Sequence, residues 1–205
     1  MKMTNVWNLF IYRLWAPVYD ASVGRFFMRG RKKAWQIADL KAGENVLLVG
    51  VGTGADLPLL PSGISVTSID LSSEMLAKAR RKLPVSGIEV FLLQGDAQKL
   101  LVPENAFDVV VFNLILSVIP DGRTCLRENL RALKSGGRVV VFDKFLPDSA
   151  KPSVFRKLLN FFSTLLGTDI NRRFGELIRG SSLIVEHDEP ALLNGVYRVI
   201  RLKIN

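Results

Sequence analysis

The chain has 205 residues, 48% hydrophobic and 23% charged, a composition that suits one globular domain with a full core and excludes a disordered or fibrous chain. No apolar run reaches the ~18–20 residues that span a bilayer, the single cysteine allows no internal disulfide, and one histidine beside it argues against a His/Cys metal site. The net charge of +9 is concentrated in two segments, with eight Lys/Arg against two Asp in residues 1–41 and seven against three Asp/Glu in residues 144–180.

Helical patterns fill residues 5–16 and 24–40. The N-terminus, MKMTNVWNLFIYRLWAPVYD, has neither the apolar core nor the small-residue cleavage site of a signal peptide. With the lone Cys125, this fits a reducing cytosol. A strand-like run, Asn45–Val49, then leads into three alternate glycines, Gly50, Gly52 and Gly54, and an apolar helix-compatible segment over 54–60. Strand, glycine turn and helix together bring backbone N–H groups close to a ligand, because glycine has no Cβ to block the approach. The unit predicts a nucleotide-like cofactor without saying which one.

Further strands are expected at Ser65–Ile69, Glu89–Leu93, Asp108–Asn113 and Arg138–Phe142, with helices at 73–83 and 121–134 between them. Strands that are apolar nearly throughout and alternate with helices imply a parallel sheet covered on both faces. Asp70 follows the second strand, where a carboxylate can accept both hydroxyls of a ribose; it can equally cap the next helix, as can Ser72 or Ser73. Gly95-Asp96-Ala97 ends the third strand in a short acidic turn. Asp108 reads as a structural turn residue. Ser135-Gly136-Gly137 is expected to close the 121–134 helix with a left-handed cap. Residues 151–179 read as one or two helices, and their apolar residues from Val154 to Leu166 recur at helical spacing. The final strands, Ser182–Val185 and Val196–Lys203, have no helix between them and predict an antiparallel pair at the sheet edge. His187 reads as a turn residue between them.

The succession VLLVGVGTGADL, VTSIDLSSEMLAKARRK, LLQGDAQKL, FDVVVFNLILSVIPD and LRALKSGGRVVVFDKF resembles the class I S-adenosylmethionine-dependent methyltransferases over about Asn45 to Phe145. The resemblance implies an α/β, Rossmann-like fold: a seven-stranded, mostly parallel sheet with an antiparallel last strand. N-terminal helices over 1–41 would cap it, and a helical insert over 151–180 would follow strand five, all within one domain, 1–205. It also implies S-adenosylmethionine as cofactor. Gly50, Gly52, Thr53 and Gly54 would pass under the methionine and ribose parts, and Asp70 would bind the ribose. Leu71, Met75, Asp96 and Ala97 would lie about the adenine, with Asn113 and Leu114 beside the donor methionine. Leu48 departs from the pattern, since many members carry an acid there. No Asn/Asp-Pro-Pro-aromatic tetrapeptide follows strand four, which argues against a nucleic-acid methyltransferase.

WAPVYD, LILSVIPD, VVVFDKFLPD and DEPALLNGVYRVIRLKI extend the resemblance to the soluble bacterial phosphatidylethanolamine N-methyltransferases. That likeness implies N-methylation of a phospholipid head group. The basic, aromatic-rich segments would then lie on an anionic membrane surface, although nucleic-acid binding or a plain solvated surface also suits their charge. Tyr19 and then Tyr12 are the candidates for facing the amine. A quinone precursor or a soluble small molecule is the alternative acceptor. The expected form is a monomer, cytoplasmic and peripherally bound to membrane, with no metal and no nucleic-acid partner.

Overall fold

The computed structural model describes residues 4–19 and 24–204, and for Tyr12 and residues 14–19 the backbone alone. Its seven strands form one sheet in the order β3-β2-β1-β4-β5-β7-β6. They are β1 (Asn45–Val49), β2 (Ser65–Asp70), β3 (Glu89–Gln94), β4 (Phe107–Asn113), β5 (Leu133–Lys144), β6 (Leu183–Leu192) and β7 (Tyr197–Ile204). The first five pair in parallel, while β7 runs antiparallel to both β5 and β6. The expected sheet, with its antiparallel last strand, is therefore present.

Side chains alternate across a strand, so the apolar runs feed two cores. Leu47, Val49, Val110, Phe112, Val139 and Val141 face one side. That side is covered by α4 (Gly122–Arg131) through Cys125 and Leu126, and by α6 (Phe174–Ile178) through Phe174 and Leu177. Val46, Leu48, Val109, Val111, Val140 and Phe142 face the other. There they meet Ala34, Trp35 and Ala38 of α2 (Arg25–Ala38), and Leu76 and Ala79 of α3 (Ser73–Arg80). The remaining helices are α1 (Asn5–Tyr19) and α5 (Val154–Leu165).

Three local expectations are corrected. The segment 54–60 is not an α-helix: only a 3-10 turn forms over Leu57–Leu59, because Pro58 and Pro61 lack the N–H that a longer helix needs. The fourth helix ends at Arg131, ahead of the glycines, since the Ala132 carbonyl accepts from the amides of Ala106 and Phe107 (2.9 and 3.0 Å) and so starts the β4–β5 pairing. Gly136, at φ +76°, instead serves the irregularity in that pairing between Leu133 and Arg138. His187 lies within β6, opposite Arg201, rather than in a turn; the hairpin bends at Leu193–Gly195.

Sheet order reverses between β1 and β4. Connections from β1 leave toward β2 and β3, those from β4 toward β5, and a crevice opens where the strand ends diverge.

Candidate active site

A cleft lies at that crevice. Of the residues singled out in the sequence, Gly50, Gly52, Thr53, Asp70, Leu71, Met75, Asp96, Ala97, Asn113 and Leu114 all line it. Gly54 does not. A Cβ on Gly54 would stand 2.9 Å from the Leu57 side chain and 3.0 Å from the Ala79 backbone, so this glycine permits close packing of the turn against α3. Gly52 differs again: at φ +53° a Cβ would meet nothing within 4 Å, and its backbone lies open.

Ser72, not Asp70, caps α3, accepting from the Met75 amide at 3.2 Å. Asp70 is thereby held at the strand end by two amides, Gly52 N–H to Oδ2 (2.7 Å) and Ser72 N–H to Oδ1 (2.9 Å). Desolvation raises its pKa above the usual carboxylate value, against the lowering effect of these amide bonds. Met75 lines the cleft while the adjacent Leu76 is core. Asp108 lies in β4 rather than in a turn, but its part is structural: it accepts from the Asn45 amide (2.9 Å) and pairs with Lys134 (2.8 Å). Leu48 is fully buried in the sheet core and offers the cleft nothing polar.

The cleft also has a cover, α1 of the expected N-terminal cap, though the motifs did not reveal which of its residues reach the cleft. Asn5, Asn8 and Leu9 of α1 line it. Asn5 donates to Asp96 Oδ2 (2.7 Å), and Asn8 donates to the Val118 carbonyl (2.6 Å). Tyr12 and Tyr19 belong to the same helix, but their side chains lie outside the described residues. Across from α1, Arg31 reaches the cleft from α2 and pairs with the fully buried Asp56. The usable signal was an arginine one turn before Trp35, on the same helix face as the core residues Ala34, Trp35 and Ala38; within RGRKK it reads only as surface charge.

Where β4 ends, Leu114 takes φ +63°, uncommon for a bulky residue and worth roughly 1–3 kcal/mol of strain. Its amide donates to the Phe142 carbonyl at 2.7 Å, which helps hold it there. Beyond β5, Lys144 donates to Ser117 Oγ (2.9 Å) and sits 5.7 Å from the Tyr197 ring centre. Burial lowers its pKa, against the attraction of Asp143 and Asp169.

Residues 47–141 match a protein family described as methyltransferase domain. A phosphatidylethanolamine N-methyltransferase of Cereibacter sphaeroides is 34% identical over 94% of this chain and 95% of its own length. A demethylmenaquinone methyltransferase of Thermus thermophilus is 35% identical over 72% of this chain and 69% of its own length. Among solved structures, a methyltransferase of Thermotoga maritima described as dependent on S-adenosylmethionine superposes with a TM-score of 0.70 at 21% identity, covering 96% of this chain and 99% of that one. A geranyl diphosphate methyltransferase in complex with S-adenosylmethionine superposes at 0.72 with 13% identity, over 93% of this chain and 90% of the other.

Proposed function

Since the chain belongs to the S-adenosylmethionine-dependent methyltransferases, its cofactor is S-adenosylmethionine, and we propose that the methyl group goes to the amine of phosphatidylethanolamine and its partly methylated forms at a membrane surface. The observation that carries the lipid acceptor is α5. None of its 12 residues is buried, although Phe155, Leu158 and Phe162 are 69%, 56% and 54% exposed. An apolar face left open on this scale marks an interaction surface. Lys151 and Lys157 stand exposed beside it, and an anionic leaflet attracts such residues by ~1 kcal/mol each while the apolar side chains enter the acyl boundary. Val6 and Phe10 of α1 are exposed as well. Among the described residues no helix is long and apolar enough to cross a membrane, so the contact would be peripheral. The near full-length likeness to the Cereibacter sphaeroides protein supports the ethanolamine head group.

The residues of the cleft fit the cofactor. The open backbone at Gly52 suits close approach of a ligand, and the Asp70 carboxylate at the end of β2 suits a ribose. Bound there, the cofactor supplies an electrophilic methyl group on a sulfonium. Asp70 would hold the ribose hydroxyls. Asp96 and Ala97, with Leu71 and Met75, would meet the adenine. Gly50, Gly52 and Thr53 would lie along the methionine and ribose, and Asn113 and Leu114 beside the donor end. Covering by α1 would limit the access of water, and alignment and desolvation would then supply most of the acceleration. The amine must be neutral to attack. Its proton would leave to water or to a nearby carboxylate. Tyr19, and after it Tyr12, would face the amine through the hydroxyl oxygen, which can accept a hydrogen bond from it, and through the ring face, which attracts a methylated cation.

The test is incubation with methyl-labelled S-adenosylmethionine and liposomes containing phosphatidylethanolamine, with and without anionic lipid. Label in methylated phosphatidylethanolamine, rising with anionic content, is the expected result. The demethylmenaquinone methyltransferase likeness favours a second reading, a quinone acceptor, which is also a membrane lipid and would use α5 equally. Label confined to demethylmenaquinone supplied in the same liposomes would replace the first reading with the second.

A further inference from the structure

Lys144 is a partly buried cation without a carboxylate of its own. It ends β5, and its Nζ–H donates to Ser117 Oγ (2.9 Å) while standing over the Tyr197 ring, 5.7 Å from its centre. An ammonium has three donors, so this bond leaves two of them open. The two acids nearby are engaged elsewhere. Asp143 accepts from the Ser117 amide and from the Lys144 amide (2.8 Å each). Asp169 pairs with Arg172 (3.8 Å) and accepts from the Asn171 amide (2.8 Å). Among the described residues no carboxylate forms an ion pair with the Lys144 ammonium; Asp143 and Asp169 act on it only from a distance, as does the positive charge of Arg172. A charge withdrawn from water is costly unless it is paired. Lys144 thus keeps a charge and two donors for an anion that the chain itself does not supply.

Its place decides which anion. Ser117 lies in the turn after β4, between Ile115 and Val118, which both line the cleft. Asn113, at the end of β4, pairs with Phe142 of β5. Lys144 is therefore one strand over from Asn113 and two residues, roughly 7 Å, further toward the open end of the sheet. In phosphatidylethanolamine two carbons separate the phosphodiester from the amine, an arm short enough to join these two levels. We infer that Lys144 anchors the phosphodiester of the acceptor lipid and so sets its amine toward the cleft beside Asn113 and Leu114. The reacting nitrogen does not touch Lys144, whose part is to bind and orient the remote end of the substrate. The positive charge of Arg172 favours an anion at the same place. An uncharged quinone precursor offers Lys144 nothing to pair with, so the anchor also sorts the two acceptor classes. The inference rests on the phospholipid reading of the acceptor.

Initial rates in micelles of a neutral detergent test it, because such micelles present no charged surface for the basic segments to bind. Two acceptors are compared: phosphatidylethanolamine, and the 2-aminoethyl ether of diacylglycerol, which has the same amine and acyl chains but no phosphate. The wild type is expected to show a KM about 10- to 100-fold lower for the phosphate-bearing lipid, the scale of one charge-assisted hydrogen bond. In Lys144→Met that preference should fall at least ~10-fold, through KM rather than kcat, and Lys144→Arg, which keeps the charge, should retain most of it. Calorimetric binding of S-adenosylhomocysteine reads whether each variant is folded. Equal KM values of the wild type for the two lipids overturn the inference whatever the variants do, and so does an undiminished preference in folded Lys144→Met. Methylation of demethylmenaquinone and of neither ethanolamine lipid is a different failure: it removes the phospholipid reading, and this inference with it.

Discussion

Trp7 of α1 donates its indole N–H to the backbone carbonyl of Leu165, the last residue of α5, at 2.9 Å and 158 residues apart in sequence. The carbonyl at a helix end has no partner within its own helix, and the indole supplies one. The bond ties the cover of the cleft to the exposed apolar helix. Trp7→Phe removes it at a cost of about 1 kcal/mol. Amide hydrogen exchange is expected to quicken in α1 and around residues 165–168 while the sheet is unaffected. Unchanged exchange in α1 would show that Asn5 and Asn8 hold it unaided.

The face of α5 has its own test. Because Phe155 and Leu158 are not buried, replacing both by Glu should change folding stability by less than about 0.5 kcal/mol. Co-flotation with anionic vesicles is expected to fall at least ~10-fold, the equivalent of ~1.4 kcal/mol. Lys157→Glu should act in the same direction and lose its effect at high salt, where surface charge is screened. Binding of S-adenosylhomocysteine in solution stays as it was.

The raised pKa of Asp70 has a definite sign. Its acid form persists to higher pH than that of an ordinary aspartate, because desolvation disfavours the anion. A ribose needs the anion as acceptor, so affinity for S-adenosylhomocysteine should drop as pH falls, beginning above the usual carboxylate range. Asp70→Asn should bind weakly, by about 10- to 100-fold, and its residual affinity should lose this acid limb. Titration calorimetry across pH reads both effects.

Gly30 is where α2 crosses β5. A Cβ there would stand 2.1 Å from the Phe142 ring, which is fully enclosed. Gly30→Ala is therefore expected to cost about 2–3 kcal/mol by overpacking, or roughly 5–10 °C in Tm. Pairing it with Phe142→Leu should recover part of the loss in a thermal melt.

Cys125 is fully buried on α4, and desolvation, reinforced by the Asp96 charge, pushes its thiol well above its ordinary pKa. The native protein should resist thiol-specific reagents, since the thiolate is the reactive form. Labelling should rise with denaturant in step with global unfolding, which makes the single cysteine a reporter of the core. Rapid labelling without denaturant would mean that α4 opens locally.

Much of the cofactor half was legible before the structure because its contacts are local to strand ends. Gly50, Gly52 and Asp70 each lie within three residues of a strand terminus, so their places follow from the strands themselves. The misread elements were decided elsewhere. The helix over 121–134 has a sound pattern, but its Ala132 carbonyl is taken by Ala106 and Phe107, far away in sequence. Gly54 has the spacing of a ligand contact, yet Ala79 of α3 stands where its side chain would be. Asp56 carries no local signal, because its part depends on Arg31 and Trp35 from α2 and on Asn113 from β4.

By itself the sequence determined the strand–helix alternation, the glycine turn and acidic strand ends, and with them the fold class and a nucleotide-like cofactor; which cofactor followed from the resemblance of five ordered motifs to a known family. Hydrophobic periodicity and glycine placement act over a few residues and need no partner to be read. Only the tertiary structure decided that Arg31 is buried rather than solvated, that α1 closes the cleft, and that the apolar face of α5 stays open. Those outcomes depend on whether a distant surface arrives to pair a charge or cover a face, and no local pattern contains that information.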